Sequence, residues 1–502
     1  MHALLFTSGE FLFVFLPITL VVFFGVGRLL GAAAAAAWLV LASLSFYGYW
    51  RIEHTVLLMA SIACNYAFGE WILRARQERK TTARMLLALA IAANLAALAY
   101  YKYADFFLRS AADLSGAHIP LLGVILPLGI SFFTFTQIAY LVDVHAGKVI
   151  ERNPLHYALF VTYFPHLIAG PVLHHSEMMP QFRLAQIYRP QLRNFAIGLS
   201  FLLLGLCKKV LVADSVAPIA NMVFGHDPQV DLAASAAWLG VTAYTLQIYF
   251  DFSGYSDMAV GLSLLFGVRL PYNFNSPYQA WNITEFWRRW HMTLSRFLRD
   301  YLYVPLGGNR HGRARRYINL MITMLLGGLW HGASWTFVIW GGLHGAYLVV
   351  NHGWLWLRER LGWKSAGDTP AAIVGRVAGV ALTMLCVMVG WVFFRAPDTL
   401  SARSILGSMF GLANGDAPIE SLAGYAQGSV AFIAIFSVVA LLARNSQAII
   451  DGTMGRWLDR VQSGARHAEL LALMVGVLCV SIVLVAMVAA SRLHTEFIYF
   501  NF

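Results

Sequence analysis

The sequence predicts an all-α polytopic membrane protein, and three observations support this fold class. Hydrophobic residues make up 59% of the 502 residues and charged residues only 12%, whereas a soluble domain carries about 25% charged residues. Apolar runs of about 20 residues, long enough to cross a bilayer as helices, recur along the chain. The net charge of +11 lies largely between these runs, where it predicts cytoplasmic loops and not nucleic-acid binding.

The first half of the chain predicts four regular spans and then less regular ones. The regular spans are expected at about 11–26, 30–49, 55–73 and 85–100. The basic segment 74–80 is predicted to be a cytoplasmic loop, which places the N-terminus outside. In a fifth span at about 121–142, Pro127 and Gly129 predict a kink. Residues 155–173 lie between basic flanks and contain two prolines, which predicts a re-entrant or broken element.

Two further spans carry charged side chains. The span at about 195–212 ends near Lys208 and Lys209, which are expected to snorkel to the interface or to meet an anionic ligand. The run at about 233–266 contains Asp251 and Asp257 and is expected to break near Gly254. Carboxylates within an apolar stretch need partners. Their spacing favours a positioning role, although a paired acid–base site stays open.

Residues 281–351 are predicted to form the catalytic core. Residues 282–299 have the periodicity of an amphipathic helix with aromatic rings opposite arginines, and His291 lies at the border of the two faces. Asn282 and Glu285 resemble a capping box at its start. Such a helix suits a membrane interface, with partner docking as the alternative.

The apolar residues 317–351 that follow are too few for two full spans, so they predict a short hairpin or a pair of half-helices. His331 lies near the middle of this hairpin, beside a break at 332–334. An ionisable residue inside a membrane is a candidate for function, although a histidine satisfied by a neighbouring helix is the plainer alternative. His344, on the returning arm, is a second candidate.

Beyond the hairpin, charge predicts three more spans, at about 373–394, 430–443 and 470–490. Residues 396–428 would form the longest external loop and the basic segment 444–466 would be cytoplasmic, so the C-terminus would be external. The sequence has 16 His but no HExxH or CxxC array, and no metal site is predicted.

The residues alone leave three functions open. A neutral histidine in a low-dielectric cavity can act as a general base toward a hydroxyl group, as an acyltransferase requires. The basic surface around Arg288, Arg289 and 310–316 offers a docking place for an anionic acyl donor. A transporter or flippase with a histidine proton relay is the second possibility, and a non-catalytic scaffold is the third.

Eight ordered motifs resemble the membrane-bound O-acyltransferase (MBOAT) family. They are FLFVFLP (11–17), FPHLIAGPV (164–172), YFDFSGYSDMA (249–259), ITEFWRRWH (283–291), LRDYLY (298–303), LGGNR (306–310), LLGGLWHG (325–332) and FIYFNF (497–502). They are most similar to the branch that O-acetylates exopolysaccharides such as alginate. They are more distantly similar to the D-alanyl transfer proteins of teichoic acid synthesis.

The resemblance implies a ring of transmembrane helices around a funnel, with re-entrant or short helices, in a single integral-membrane acyltransferase domain over residues 1–502. It implies that His331 is catalytic and that His291 is the second histidine of the site. The candidate substrate- or donor-binding residues are Trp330, Asp251, Tyr255, Asp257, Arg288, Arg289, Arg313, Arg315 and Arg316.

The implied activity is the transfer of acetyl groups across the bacterial inner membrane from a cytoplasmic donor, either acetyl-CoA or an acyl carrier protein, with no bound cofactor. The implied partners are a periplasmic SGNH-type acetyltransferase, the polysaccharide synthesis machinery and membrane lipid. Both termini are expected to be periplasmic. Transfer of another acyl group, such as D-alanyl, to a cell-envelope polymer is the related alternative.

Overall fold

The computed structural model describes residues 4–168, 170–362, 369–412, 426–456, 476, 477, 480, 481, 497 and 498. Helices are the main elements of these residues and no β-strand occurs among them, which confirms the all-α fold class. The chain divides into two compact units. The first unit holds Met1–Leu206, Tyr255–Tyr272 and Ile450–Arg492, and the second unit holds Cys207–Gly254, Asn273–Ile449 and Leu493–Phe502.

The helices of the first unit are α1 (Leu16–Leu29), α2 (Ala32–Gly48), α3 (Ile52–Glu78), α4 (Lys80–Leu98), α5 (Ala104–Ser115), α6 (Ile130–Ala146), α7 (Pro154–Thr162), α8 (Phe164–Leu167), α9 (His175–Met178) and α10 (Leu192–Leu206). The second unit holds α11 (Asp214–Phe224), most of α12 (Ala234–Leu265), α13 (Ile283–Arg289), α14 (Met292–Leu298), α15 (Gly312–His331), α16 (Trp335–Arg360), α17 (Pro370–Arg395), α18 (Thr399–Met409) and α19 (Ala426–Leu442). The C-terminal end of α12 belongs to the first unit.

Five helical segments among the described residues are long and apolar enough to cross a membrane. They are Phe11–Leu29, Ile52–Glu78, Lys80–Ser115, Leu192–Phe224 and Pro370–Arg395. Each contains a span predicted from the sequence, and the predicted spans at 30–49 and 430–443 correspond to shorter apolar helices, Ala32–Gly48 and Gly428–Leu442. These helices confirm that the fold is polytopic.

Two predictions for the first unit are wrong. Residues 74–80 are not a loop, because α3 continues to Glu78 and only Arg79 separates it from α4. The segment is rich in Arg, Gln, Glu and Lys, which are good helix formers, so its charge does not interrupt the helix. The fifth span is not a kinked helix over 121–142, because Gly129 is left-handed (φ 71°) and α6 begins only at Ile130.

The broken element predicted at 155–173 is confirmed. Asn153 caps α7 by accepting hydrogen bonds from two backbone N–H groups, and the helix ends at Thr162. Tyr163 leaves the helical conformation (φ −52°, ψ 109°) before α8 begins. The side chains of Tyr157, Phe160 and Tyr163 are fully buried, so the irregular backbone lies inside protein, where it is tolerated at membrane depth.

Two predictions for the rest of the chain are also wrong. Gly254 does not break α12, because every residue from 251 to 266 is buried and this packing outweighs the cost of about 1 kcal/mol for a helical glycine. Residues 396–428 are not one loop, because they include α18. Residues 413–425 and 457–466, most of the predicted span at 470–490 and the ending at 499–502 lie outside the described residues.

Candidate active site

α15 and α16 form the hairpin that carries the candidate catalytic histidine. α15 ends at His331 and α16 begins at Trp335, so the predicted break at 332–334 is confirmed. Ser334 caps α16 by accepting a hydrogen bond from the backbone N–H of Thr336. The arms contain 20 and 26 residues and are full helices, not half-helices, because both continue beyond the apolar run into its basic flanks.

Glycines allow the two arms of the hairpin to touch. A Cβ atom at Gly328 would lie 2.3 Å from the carbonyl oxygen of Phe337, and one at Gly341 would lie 2.4 Å from that of Met324. Only residues without a side chain permit this approach of two helix backbones. The close packing of the arms fixes the end of α15, where His331 lies.

His331 is 4% exposed and is surrounded by aromatic rings. The ring centroids of Trp330, Trp340 and Phe394 lie 4.9, 5.1 and 5.1 Å from the centroid of its imidazole. These rings contact the imidazole at interplanar angles of 69–87°. Water is therefore largely excluded from this side of the histidine, and electrostatic interactions there are stronger than in water.

His291 lies between α13 and α14 and not within one helix. Its backbone is left-handed (φ 43°, ψ 53°), which costs a non-glycine residue about 1–2 kcal/mol. The predicted amphipathic helix over 282–299 is therefore wrong. Its apolar side chains lie in the protein core and not at a membrane surface, since Phe286 is 0% and Trp290 1% exposed.

Asn273 holds His291 in place. The Nδ1 atom of His291 and the hydroxyl group of Thr293 lie 3.3 and 2.6 Å from the amide oxygen of Asn273. Because that oxygen can only accept, Nδ1 carries the proton and Nε2 keeps a lone pair. Burial lowers the pKa of His291 to about 3, so the ring is neutral at physiological pH.

Trp330 joins His291 and His331 in one cluster. The centroid of its ring lies 6.3 Å from that of His291 and 4.9 Å from that of His331. The structure thus brings three of the predicted site residues together within the second unit. Their roles in the reaction stay predictions.

His344 lies further along α16 and is 0% exposed. Neither of its ring nitrogens has a hydrogen-bond partner among the described residues. Its ring centroid lies 4.9 Å from that of Trp340, which also contacts His331, and 5.2 Å from that of Trp287. His344 and His331 therefore contact the same indole ring, that of Trp340.

Lys209 forms a buried ion triad in the second unit. Its ammonium nitrogen lies 2.8 Å from a carboxylate oxygen of Asp214 and 2.7 Å from one of Asp251. The other oxygen of Asp251 accepts a hydrogen bond from the backbone N–H of Ile498 at 2.9 Å. The predicted snorkelling of Lys209 is wrong, because internal carboxylates neutralise its charge. The triad also gives Asp251 the partner that a buried carboxylate needs.

Tyr255 and Asp257 belong to the first unit. Tyr255 is 5% exposed and stacks on Phe6, with ring centroids 4.8 Å apart, and Asp257 is 7% exposed. Stacking in a core accounts for the buried tyrosine. A contact of either residue with substrate stays a prediction.

The predicted donor-binding arginines have different surroundings. Arg289 forms a salt bridge to Glu285 one helical turn earlier, at 2.5 Å. Asn282 caps α13 by accepting from the N–H of Glu285, which confirms the Asn282 half of the predicted capping box. Arg288 is exposed.

Arg313 and Arg315 lie in the first turn of α15 and Arg316 follows directly in the same helix, so none of the three is in a loop. The first two are exposed and Arg316 is half-buried.

Sequence reasoning missed Asn273 and Thr293, which hold His291, and Trp340 and Phe394, which surround His331. The available signal for Asn273 was the polar run YNFNSP at 272–277, a turn-rich segment between two apolar stretches. The two aromatic residues gave no signal, because single aromatic residues in apolar helices are usually core.

The described residues thus place two buried histidines, His331 and His344, on a glycine-packed hairpin of a polytopic helical chain. The family model of MBOAT, the membrane-bound O-acyltransferase family, matches residues 151–394, which include His291, His331 and the hairpin. The chain belongs to the MBOAT family, and it is a multi-pass membrane O-acyltransferase.

Three relatives indicate the range of activities in this family. The chain is 42% identical over 440 residues to a peptidoglycan O-acetyltransferase of Helicobacter pylori, covering 82% of this chain and 80% of the relative. It is 44% identical over 417 residues to a probable alginate O-acetylase, AlgI, of Azotobacter vinelandii, covering 81% and 78%. It is 27% identical over 288 residues to a teichoic acid D-alanyltransferase of Streptococcus thermophilus, covering 53% and 68%.

Proposed function

We propose that this chain moves acetyl groups from a cytoplasmic thioester donor across the bacterial inner membrane for the O-acetylation of an exopolysaccharide. The observation that carries the proposal is the position of His331, buried against three aromatic rings at the break of the hairpin. The membership of an O-acyltransferase family and the O-acetylating relatives at 42–44% identity support acetyl as the group transferred.

His331 is the general base of the proposed transfer. Its imidazole takes the proton of the accepting hydroxyl group, and the hydroxyl oxygen forms a bond to the carbonyl carbon of the acetyl thioester. The carbon–sulfur bond then breaks and the imidazolium returns the proton to the leaving thiolate. Trp330 and the neutral His291, whose orientation Asn273 fixes, position the reacting groups around His331.

The donor is acetyl-CoA or an acetylated acyl carrier protein, both of which are anionic. The positive-inside rule supports a cytoplasmic location for the arginine-rich residues 310–316, with both termini periplasmic. The arginines that would attract the donor are Arg288, Arg289, Arg313, Arg315 and Arg316. Asp251 acts through Lys209 as a positioning residue. Tyr255 and Asp257 are candidate substrate contacts.

The accepting polymer is an exopolysaccharide such as alginate, as the name of the Azotobacter relative suggests. A periplasmic SGNH-type acetyltransferase and the polysaccharide synthesis machinery would complete the pathway. Peptidoglycan is a second candidate acceptor, supported by the Helicobacter relative. Transfer of D-alanyl groups has weaker support, because that relative is 27% identical over 53% of the chain.

Purified protein and its periplasmic neighbours, incubated with radiolabelled acetyl-CoA, test the proposal. Alginate oligosaccharides and peptidoglycan fragments serve as alternative acceptors. We expect label in one of the two, and none when His331→Ala replaces the wild type. Label in neither acceptor, together with label transfer from D-alanyl carrier protein, would overturn the acetyl proposal.

A further inference from the structure

A cleft of about 510 Å³ lies between the start of α15 and the end of α16. Its lining includes Arg313, Arg316, Tyr317, His352, Trp356 and Glu359. The cleft is therefore basic and aromatic, with Glu359 as the one carboxylate among these side chains. It lies at the opposite end of the hairpin from His331, which ends α15.

The lining of the cleft has more positive than negative charge, with two arginines and one glutamate. The first turn of α15 contains no acidic residue. Its arginines lie at the positive end of the helix dipole, where an anion is favoured and a cation is not. Neither Arg313 nor Arg316 forms a salt bridge among the described residues. Arg288 of α13 lies within electrostatic reach of His352 and adds to the positive potential.

Trp356 holds two of the guanidinium groups near the cleft. The Cζ atom of Arg313 lies 5.5 Å and that of Arg360 lies 5.4 Å from the centroid of its ring. Cation–π contacts of this length position the arginines without neutralising them. Like charges gathered on one indole repel each other, and a bound anion would relieve that repulsion.

His352 supplies a further donor. Its Nδ1 atom lies 3.5 Å from a guanidinium nitrogen of Arg316. Because a guanidinium can only donate, Nδ1 faces it as the acceptor and the ring proton is on Nε2. Two guanidinium groups and an imidazole thus line one opening, and side chains of these kinds can donate hydrogen bonds to the oxygens of a phosphate group.

We propose that this cleft binds the phosphate group of a ligand. The phosphate can come from two sources. One is the donor of the proposed acetyl transfer, since coenzyme A and the phosphopantetheine arm of a carrier protein both contain phosphate; this source rests on the proposed function. The other is the headgroup of an anionic phospholipid, because Trp354, next in sequence to the lining residue Leu355, is 49% exposed and exposed tryptophans favour the membrane interface.

Binding measurements on the purified full-length protein test the proposal with two probes. In nanodiscs of phosphatidylcholine, coenzyme A is titrated and compared with pantetheine, which lacks phosphate. In a second preparation, retention of phosphatidylglycerol is measured by native mass spectrometry. We expect Arg313→Gln and Arg316→Gln each to weaken binding of at least one phosphate probe about tenfold, as expected for loss of a charged hydrogen bond.

Gly353→Leu blocks the cleft without removing a charge. A Cβ atom at Gly353 would meet no atom within 4 Å, so the larger side chain enters open space and the fold is retained. We expect this variant to weaken the same probe about tenfold. Arg358→Gln is the matched control, because Arg358 is on the same helix but does not line the cleft; we expect it to bind within about twofold of wild type.

If the cleft variants lose only coenzyme A binding, the cleft is assigned to the donor. If they lose only phosphatidylglycerol binding, the cleft is assigned to lipid. Wild-type protein that binds neither probe would overturn the proposal, as would a Gly353→Leu variant that binds both normally. An equal loss in Arg358→Gln would show general surface charge and would also overturn it. Absence of acetyl transfer with intact, cleft-dependent binding would count only against the proposed function.

Discussion

The two buried histidines of the hairpin differ in what they offer to a reaction. His331 lies at the end of α15, where the backbone breaks, and His344 lies within α16. A general base contributes about 10²–10⁴-fold to a rate. We therefore expect His331→Ala to lower the rate of acetylation by about 10²-fold or more, while the protein still purifies as a monodisperse species. His331→Gln should do the same, since glutamine forms hydrogen bonds but cannot carry the proton.

His344→Ala is the matched comparison, because it removes a similarly buried imidazole from the same hairpin. Near-normal turnover by His331→Gln would mean that His331 is only a hydrogen-bonding residue. Acetylation lost in His344→Ala and retained in the His331 variants would place the base on the other arm.

The ion triad makes a separate prediction about stability. Lys209→Met leaves the carboxylates of Asp214 and Asp251 buried without their cation, and breaking a buried ion pair costs about 3–5 kcal/mol. We therefore expect a large fall in the thermal unfolding temperature of the purified protein. Adding Asp214→Asn and Asp251→Asn should restore much of the loss. A single variant as stable as wild type would show that the triad does not stabilise the second unit.

At the scale of elements, the packing of α15 on α16 predicts a contrast between neighbouring glycines. A Cβ atom at Gly341 would lie 2.4 Å from the carbonyl oxygen of Met324, whereas one at Gly342 would lie 3.5 Å from its nearest neighbour, an atom of Leu325. Gly341→Ala should destabilise the protein by about 1–3 kcal/mol, as overpacking does. Gly342→Ala should be neutral or stabilising by up to about 1 kcal/mol, because alanine is the better helix former. Thermal unfolding of both variants checks this, and equal stabilities would contradict the close packing of the arms.

Local patterns predicted the features that depend on local chemistry. The Asn282 cap and the break at 332–334 follow from residue types that end or begin helices, and both are present. The left-handed His291 could not be predicted, because contacts with Asn273, 18 residues earlier in the chain, hold it. The continuity of α12 was missed for a related reason: the cost of Gly254 is local, whereas the burial that offsets it comes from distant residues.

At the scale of the whole molecule, the charge pattern predicts the orientation in the membrane. We expect the N-terminus, residues 396–428 and the C-terminus to be outside, and residues 74–80, 310–316 and 444–466 to be inside. Single cysteines introduced at these sites and labelled from each side of the membrane check the prediction. An Arg313→Cys variant labelled only from outside would overturn it, because the basic flanks of the hairpin set the orientation.

The ion triad also bears on the order in which the chain enters the membrane. Lys209 leaves the ribosome 42 residues ahead of Asp251, but Asp214 follows it by only five and supplies a counter-charge within the same helical segment, Leu192–Phe224. Because of this local pair, the nascent segment presents neither of these two charges alone to the insertion machinery. Asp251 follows later in the chain, in α12, and its carboxylate lies 2.7 Å from the same lysine. Lys209 therefore links a segment that is synthesised early to a helix that is synthesised later, and its pairing with Asp251 can follow its pairing with Asp214.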